Sequence, residues 1–251
     1  KLYGHFLNRG NIKCAHPLIR ARKQIAYLRG ICADPMGFEH GGPAVSSNFN
    51  PKTVAILELL REILGRGEQA VVVCARVGQT NTLCMKLNEV GVPWSRIDST
   101  VLAADQSRQS NMFKAGRTRV MLMGIKCAIG HSYDDCPNLI IGSLEYSYGS
   151  KHQAEGRIYR VNSKRPINIY CILHEKSIEE TMFDVVATKQ DAATICLHGQ
   201  RIPRDFKPVD MQEILAEASE RFQLNGQPME MDCELQWAKL RGKFNAIPLA
   251  A

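Results

Sequence analysis

PKTVAILELLREILGRGEQAVVVCA, residues 51–75, is the stretch that decides the fold. Pro51 suits the first turn of a helix, where its missing N–H would have had no partner anyway. Val54, Leu57, Leu60, Ile63 and Leu64 follow at helical spacing, and Gly65 and Gly67 end the run. Ala70 to Ala75 is a short unbroken apolar segment, which fits a strand covered on both faces. The alternation continues downstream. Helix 79–90 stops at Gly91, strand 95–98 follows, and helix 104–114 is closed by Gly116. Strands 119–123 and 139–142, a helix over about 149–161, strand 167–173 and helix 175–194 complete the pattern. Strands alternating with helices of about 10–15 residues predict an α/β fold with a mostly parallel sheet and helices on both sides.

Outward from this unit, residues 1–50 read as a basic, mostly helical lead-in. Leu18, Ile19, Ile25, Leu28 and Ile31 recur at helical spacing, whereas Pro35, Gly41-Gly42-Pro43 and Ser46 to Asn50 read as loop. On the other side, Pro203 and Pro208 bracket a linker. A helix over 210–222 turns Met211, Ile214, Leu215 and Ala218 one way, and a last helix over 234–244 carries Trp237 and Leu240. The expected organisation is a lead-in (1–50), an α/β lobe (51–198) and a helical tail (199–251).

Of the 251 residues, 45% are hydrophobic and 23% charged, which disfavours wholesale disorder, a fibrous repeat or a small stapled scaffold. No apolar run approaches the roughly 18 residues a membrane span needs. The first 30 residues are basic throughout and hold no apolar block, so no secretory signal is read there. The chain opens on Lys1 and is expected to be a piece of a longer protein. Its nine cysteines are an odd number, and Cys74, Cys127 and Cys171 lie in strand-like runs. Free, buried thiols in a reducing compartment are expected. The net charge is +7, yet residues from 199 onward hold seven basic and eight acidic side chains. The basic excess belongs to the body of the chain and points to a polyanionic partner.

Chemistry concentrates in QAEGRIYR, residues 153–160. On a helix, Gln153, Arg157 and Arg160 share one face at i, i+4 and i+7. Two guanidiniums and an amide suit planar phosphate recognition, and phosphoryl transfer uses such cations near the developing charge, often from a neighbouring domain. A solvated face paired with acids gives the same pattern. Other candidates are thinner. Cys14, His16 and Cys32 offer three metal ligands without the usual Cys-x₂₋₄-Cys spacing, so no metal site is predicted. His131 with Asp134, Asp135 and Cys136 lacks an activated nucleophile and reads as a loop capping a strand. Tyr146 and Tyr148 suit either base stacking or packing. Trp237 reads as a packing anchor. No Gly-x-x-x-x-Gly-Lys-Ser/Thr loop and no Asp-Glu-x-His occurs, and no Gly-x-Gly-x-x-Gly follows a strand, which disfavours a Rossmann-like enzyme.

Residues 153–160 resemble the sixth conserved motif of superfamily-two helicases and translocases, Gln-x-x-Gly-Arg-x-x-Arg. SIEETMFDVV (177–186), YLRGICADP (27–35) and PKTVAILELL (51–60) resemble segments of the Swi/Snf-type branch. QAVVVCAR (69–76) and VMLMGIKCAIG (120–130) resemble its fourth and fifth motifs. The pieces come in family order and cover about residues 15–195. The resemblance implies a three-layer RecA-like fold, the C-terminal lobe of such a helicase, with a helical lead-in and tail.

It also implies that Arg157 and Arg160 act as arginine fingers on ATP held by a first lobe, which would also hold Mg²⁺, with Gln153 as the motif glutamine. Gly124, Gly130 and Gly156 fall in its nucleotide-side motifs. The loop from Gly124 to His131 would couple nucleotide to DNA backbone. The turn from Arg76 to Thr80 would face the duplex. Ser99, Thr100, Lys126, Ser150 and Lys151, with Ser147 and His152, are available to track the backbone without reading bases. The implied partners are duplex DNA, the first RecA-like lobe and a DNA-bound protein to be remodelled. The implied location is the cytoplasm, beside a bacterial or phage nucleoid, or else a nucleus.

The sequence departs from the pattern in several places. Gly124-Ile125 replaces Ser-Thr, and Cys127-Ala128-Ile129-Gly130 is one residue shorter than Ala-Gly-Gly-x-Gly. His131-Ser132-Tyr133 replaces Leu-Asn-Leu, Leu144 to Tyr148 replaces the Trp-Asn-Pro segment, and Val161-Asn162-Ser163 replaces Ile-Gly-Gln. A divergent motor lobe, or a degenerate lobe kept only to bind nucleic acid or protein, both fit these changes.

Overall fold

A computed structural model of the chain describes residues 16–35, 49–127, 130–160, 165–197, 199, 211–224, 233–245 and 247. Helix α1 spans Pro17–Ala33 and α2 Pro51–Gly65. The Asn50 side chain caps α2 by accepting from Thr53 N at 3.0 Å, a signal the sequence reading passed over. Then follow β1 (Ala70–Cys74), α3 (Val77–Glu89), β2 (Trp94–Ile97), α4 (Ala103–Lys114), β3 (Val120–Gly124) and β4 (Asn138–Ile141). The series ends with α5 (Tyr148–Glu155), β5 (Asn168–Cys171), α6 (Ile178–Leu197), α7 (Met211–Leu224) and α8 (Cys233–Phe244). Arg76 to Thr80, expected as a turn, is the N-cap and first turn of α3. Cys14 and the loop expected over 36–48 lie outside the described residues.

The five strands form one all-parallel sheet in the order β2-β3-β1-β4-β5. Its side chains divide strictly by parity. Val71, Val73, Met121, Met123, Leu139 and Ile141 join one core, with α1, α6 and α7 supplying Leu28, Met182 and Ile214. Ala70, Val72, Cys74, Val120, Leu122 and Ile140 join the other, beneath α2, α3 and α8. Both faces are covered, which is why β1 reads as an unbroken apolar run. Cys74 follows the expectation and is buried at the end of β1. Cys127 does not: it sits half-buried in the turn after β3, because the ladder stops at Gly124. Burial pushes the Cys74 thiol up to about 12.

The tail touches both faces. Ile214 and Ala218 of α7 enter the first core, while Trp237, Leu240 and Phe244 of α8 enter the second. Trp237 is an anchor: its indole N–H donates to Glu89 Oε2 at 2.6 Å, and Phe49 meets its ring edge-on at 6.2 Å. The Lys86 ammonium lies 4.5 Å from the Phe49 ring centre and 5.4 Å from that of Trp237. Trp237→Ala is expected to cost about 3–5 kcal/mol in urea unfolding, since it opens a cavity and removes the indole donor to Glu89.

Candidate nucleotide and nucleic-acid site

The carboxyl ends of the strands gather most of the candidate residues. After β1, Arg76 caps α3 and its guanidinium donates to Ala26 O at 3.4 Å. After β2, Asp98 accepts from Arg96 Nε at 2.6 Å, from Thr100 N at 2.9 Å and from Thr100 Oγ1 at 2.6 Å. Burial raises the Asp98 carboxyl, but hydrogen bonds from Arg96 and Thr100 outweigh it and hold the group below its ordinary value. Ser99 and Thr100 are exposed on this turn. After β3, the Lys126 side chain is 79% exposed, 3.8 Å from Glu145 Oε1. A Cβ on Gly124 would stand 3.1 Å from the Asp98 Cβ, so glycine lets these two strand ends approach.

The segment 153–160 corrects one expectation. The helix ends at Glu155, short of the expected Val161, and Gly156 to Ile158 form a turn. Gln153 is therefore exposed on α5, while Arg157 and Arg160 lie beyond it and do not share a helical face with it. The cause is tertiary. Ile158 is fully buried, and Arg157 O is taken by Tyr133 N at 2.8 Å. These contacts turn the chain away from the helix axis. Gly156 has an ordinary φ of −64°, whereas Gly130 sits at φ +93°, a conformation that favours glycine.

The same contacts hold Arg157 against the 131–133 loop. Its Nη1 donates to His131 O at 3.3 Å, and its Nε is buried without a hydrogen-bond partner. Burial, then the charge of Arg160, lowers the Arg157 guanidinium from its ordinary value. Burial, then Lys114 and Arg157, lowers His131. Positive charge is thus crowded at this corner, and an anion placed there relieves it.

Several candidates have partners within the fold. Lys151 pairs with Glu155 at 2.6 Å, and Ser150 N donates to Ser147 Oγ at 3.2 Å. Tyr148 stacks on His152 at 5.5 Å. Tyr146 lies between Arg29 and Lys189, whose charges stand 5.9 and 5.1 Å from its ring centre. Burial lifts its hydroxyl to about 12. Sequence reasoning missed Tyr159, which stands 70% exposed between the two arginines. It also missed Arg29, whose guanidinium reaches out of α1 and donates to Leu144 O at 2.9 Å.

Residues 54–162 match the family described as helicase conserved C-terminal domain. Among curated proteins, the chain is 22% identical over 141 residues to the SWI/SNF-related matrix-associated actin-dependent regulator of chromatin subfamily A-like protein 1 of Xenopus tropicalis. That match takes in 55% of this chain and 15% of that protein. It is 23% identical over 222 residues to the DNA repair and recombination protein RAD54-like of Drosophila pseudoobscura pseudoobscura, 81% of this chain and 27% of that protein. The chain is thus similar to the C-terminal lobe of Swi/Snf-type superfamily-two helicases. The solved structure of the C-terminal part of the Fun30 ATPase domain shares the fold of this lobe, with a TM-score of 0.55 at 15% identity over 72% of this chain and 57% of that one. The lobe thus spans about a quarter or less of the length of the curated relatives it matches. No helix among its described residues is long and apolar enough to cross a membrane.

Proposed function

We propose that this lobe is the second half of an ATP-driven motor that moves along duplex DNA. Arg157 and Arg160 reach the phosphates of ATP seated on a first lobe of the same protein and stabilise the charge that develops as the γ-phosphoryl leaves. The observation that carries this reading is the Arg157 guanidinium, held on a pinned turn with a buried, unpartnered Nε in the segment that matches the helicase conserved C-terminal domain. The residues fit an anion contact. Among the described residues, no three His, Cys, Asp or Glu side chains are grouped so as to hold a cation, and Mg²⁺ is assigned to the first lobe. When bound, ATP supplies the free energy of the stroke; this chain's part is to place positive charge and to grip the duplex.

Arg76, Ser99, Thr100 and Lys126 form the proposed grip on the phosphodiester backbone, without base readout. Residues 199–251 act as a brace on the lobe, and a DNA-bound protein is the load. The eukaryotic sources of the relatives favour a nuclear location over a nucleoid. The test is ATP turnover with and without duplex DNA, for this chain and for the full-length gene product. The chain alone should be silent and the full-length product stimulated by duplex. A silent full-length product would replace the motor with a lobe kept for binding.

A further inference from the structure

In an open parallel sheet, ligands settle outside the carboxyl ends of two adjacent strands whose connections leave in opposite directions. In this lobe those strands are β1 and β4: from β1 the chain passes through α3 to β2 at one edge, and from β4 through α5 to β5 at the other. That crevice is filled. Gln79, fully buried in the first turn of α3, lies across it. Its Nε2 donates to Gly142 O at 3.1 Å, and its Oε1 accepts from Ser143 Oγ at 2.9 Å. Ser143 Oγ in turn accepts from Ala75 N at 2.6 Å. The β1–β4 ladder ends with Gly142 N donating to Val73 O at 2.9 Å, and the side chains carry it one step further. A Cβ on Gly142 would lie 3.4 Å from Gln79 Nε2 and 3.0 Å from Ile56 Cδ1, so glycine keeps the place open for the amide.

This clamp joins two functional segments. On one side is Arg76, which caps the helix that carries Gln79. On the other is the connection from Ser143 to Ser147. Arg29 holds its Leu144 O at 2.9 Å, and Lys189 holds its Tyr146 O at 3.0 Å. That connection opens α5, which ends two residues before Arg157. A network that is buried and fully paired moves as a unit.

We infer that Gln79 and Ser143 are positioning residues that pass the state of the DNA-facing turn at Arg76 to the arginine segment, so that bound duplex sets the rate of ATP turnover. The inference rests on the function proposed above. In the full-length product, Gln79→Leu keeps the volume and removes both hydrogen bonds. Its turnover without DNA, its KM for ATP and its affinity for a 40-base-pair duplex probe (a length of about four helical turns) should match wild type, while stimulation by that duplex falls about tenfold. Ser143→Ala should do the same, Ser143→Thr should restore stimulation, and the double variant should be no worse than either single one.

Unchanged stimulation in Gln79→Leu and Ser143→Ala overturns the relay. So does a parallel fall of unstimulated and stimulated turnover that tracks a lowered melting temperature, the mark of a merely structural clamp. A wild-type protein with no duplex-stimulated turnover overturns the motor reading and the relay with it, which separates the two failures.

Discussion

Arg157→Ala in the full-length gene product is expected to lower duplex-stimulated ATP turnover by about a thousandfold or more, the usual worth of an arginine finger. Arg160→Ala should do the same, and the double variant should fall little further, since groups that act on one transition state are not additive. ATP should still bind, because the phosphate cradle belongs to the first lobe in this reading. Lysine should not substitute: it offers a point charge where the guanidinium offers a planar fork. The fold should survive, because the turn is fixed by buried Ile158 and by the Tyr133–Arg157 backbone bond rather than by the guanidinium. Circular dichroism and a melting curve on the same samples separate lost chemistry from lost structure. Normal turnover in both single variants would sink the motor assignment.

The layered fold was legible because strand-like apolar runs alternate with amphipathic helices along the chain. The run Ala70 to Cys74 told of a strand buried on both sides, and both cores are there. The arginine segment was legible as residue types but not as geometry. Helical periodicity carries no information about Tyr133, which lies 24 positions upstream in sequence and takes Arg157 O. The partner of Arg76 was invisible for a related reason, whereas those of Lys151 and Thr100 are local. Glu155 sits on the same helix as Lys151 and could have been read as an i, i+4 pair, whereas Ala26 O meets Arg76 only through the docking of α1. Gln79 went unread because a glutamine in an amphipathic helix looks like a surface residue until the crevice it fills is known.

The second large effect concerns stability. Lys52, at the start of α2, forms a buried ion pair with both carboxylate oxygens of Glu179 in α6. Glu179 also accepts from His174 N at 2.9 Å, Ser177 Oγ donates to His174 O at 2.7 Å, and His174 Nε2 lies 3.0 Å from Cys32 O in α1. One polar knot therefore ties α1, α2 and α6 to the end of β5. Lys52→Met should destabilise this chain by about 3–5 kcal/mol in urea unfolding, because it strands a buried carboxylate, whereas Lys52→Met with Glu179→Leu should recover most of the loss. The pH dependence tests the same knot. Burial, then the Lys52 charge, lowers His174 from 6.5. A histidine kept neutral in the fold contributes stability that is complete above pH 6.5 and is lost as pH falls through its lower folded value. Lys52→Met removes one of the two causes that lower His174, so the His174 value moves back toward 6.5. Acid should therefore cost the variant less than wild type, and the gap between them should narrow below pH 6.5. A gap that is constant with pH would mean that Lys52 and His174 do not feel each other, and that the knot is two separate contacts.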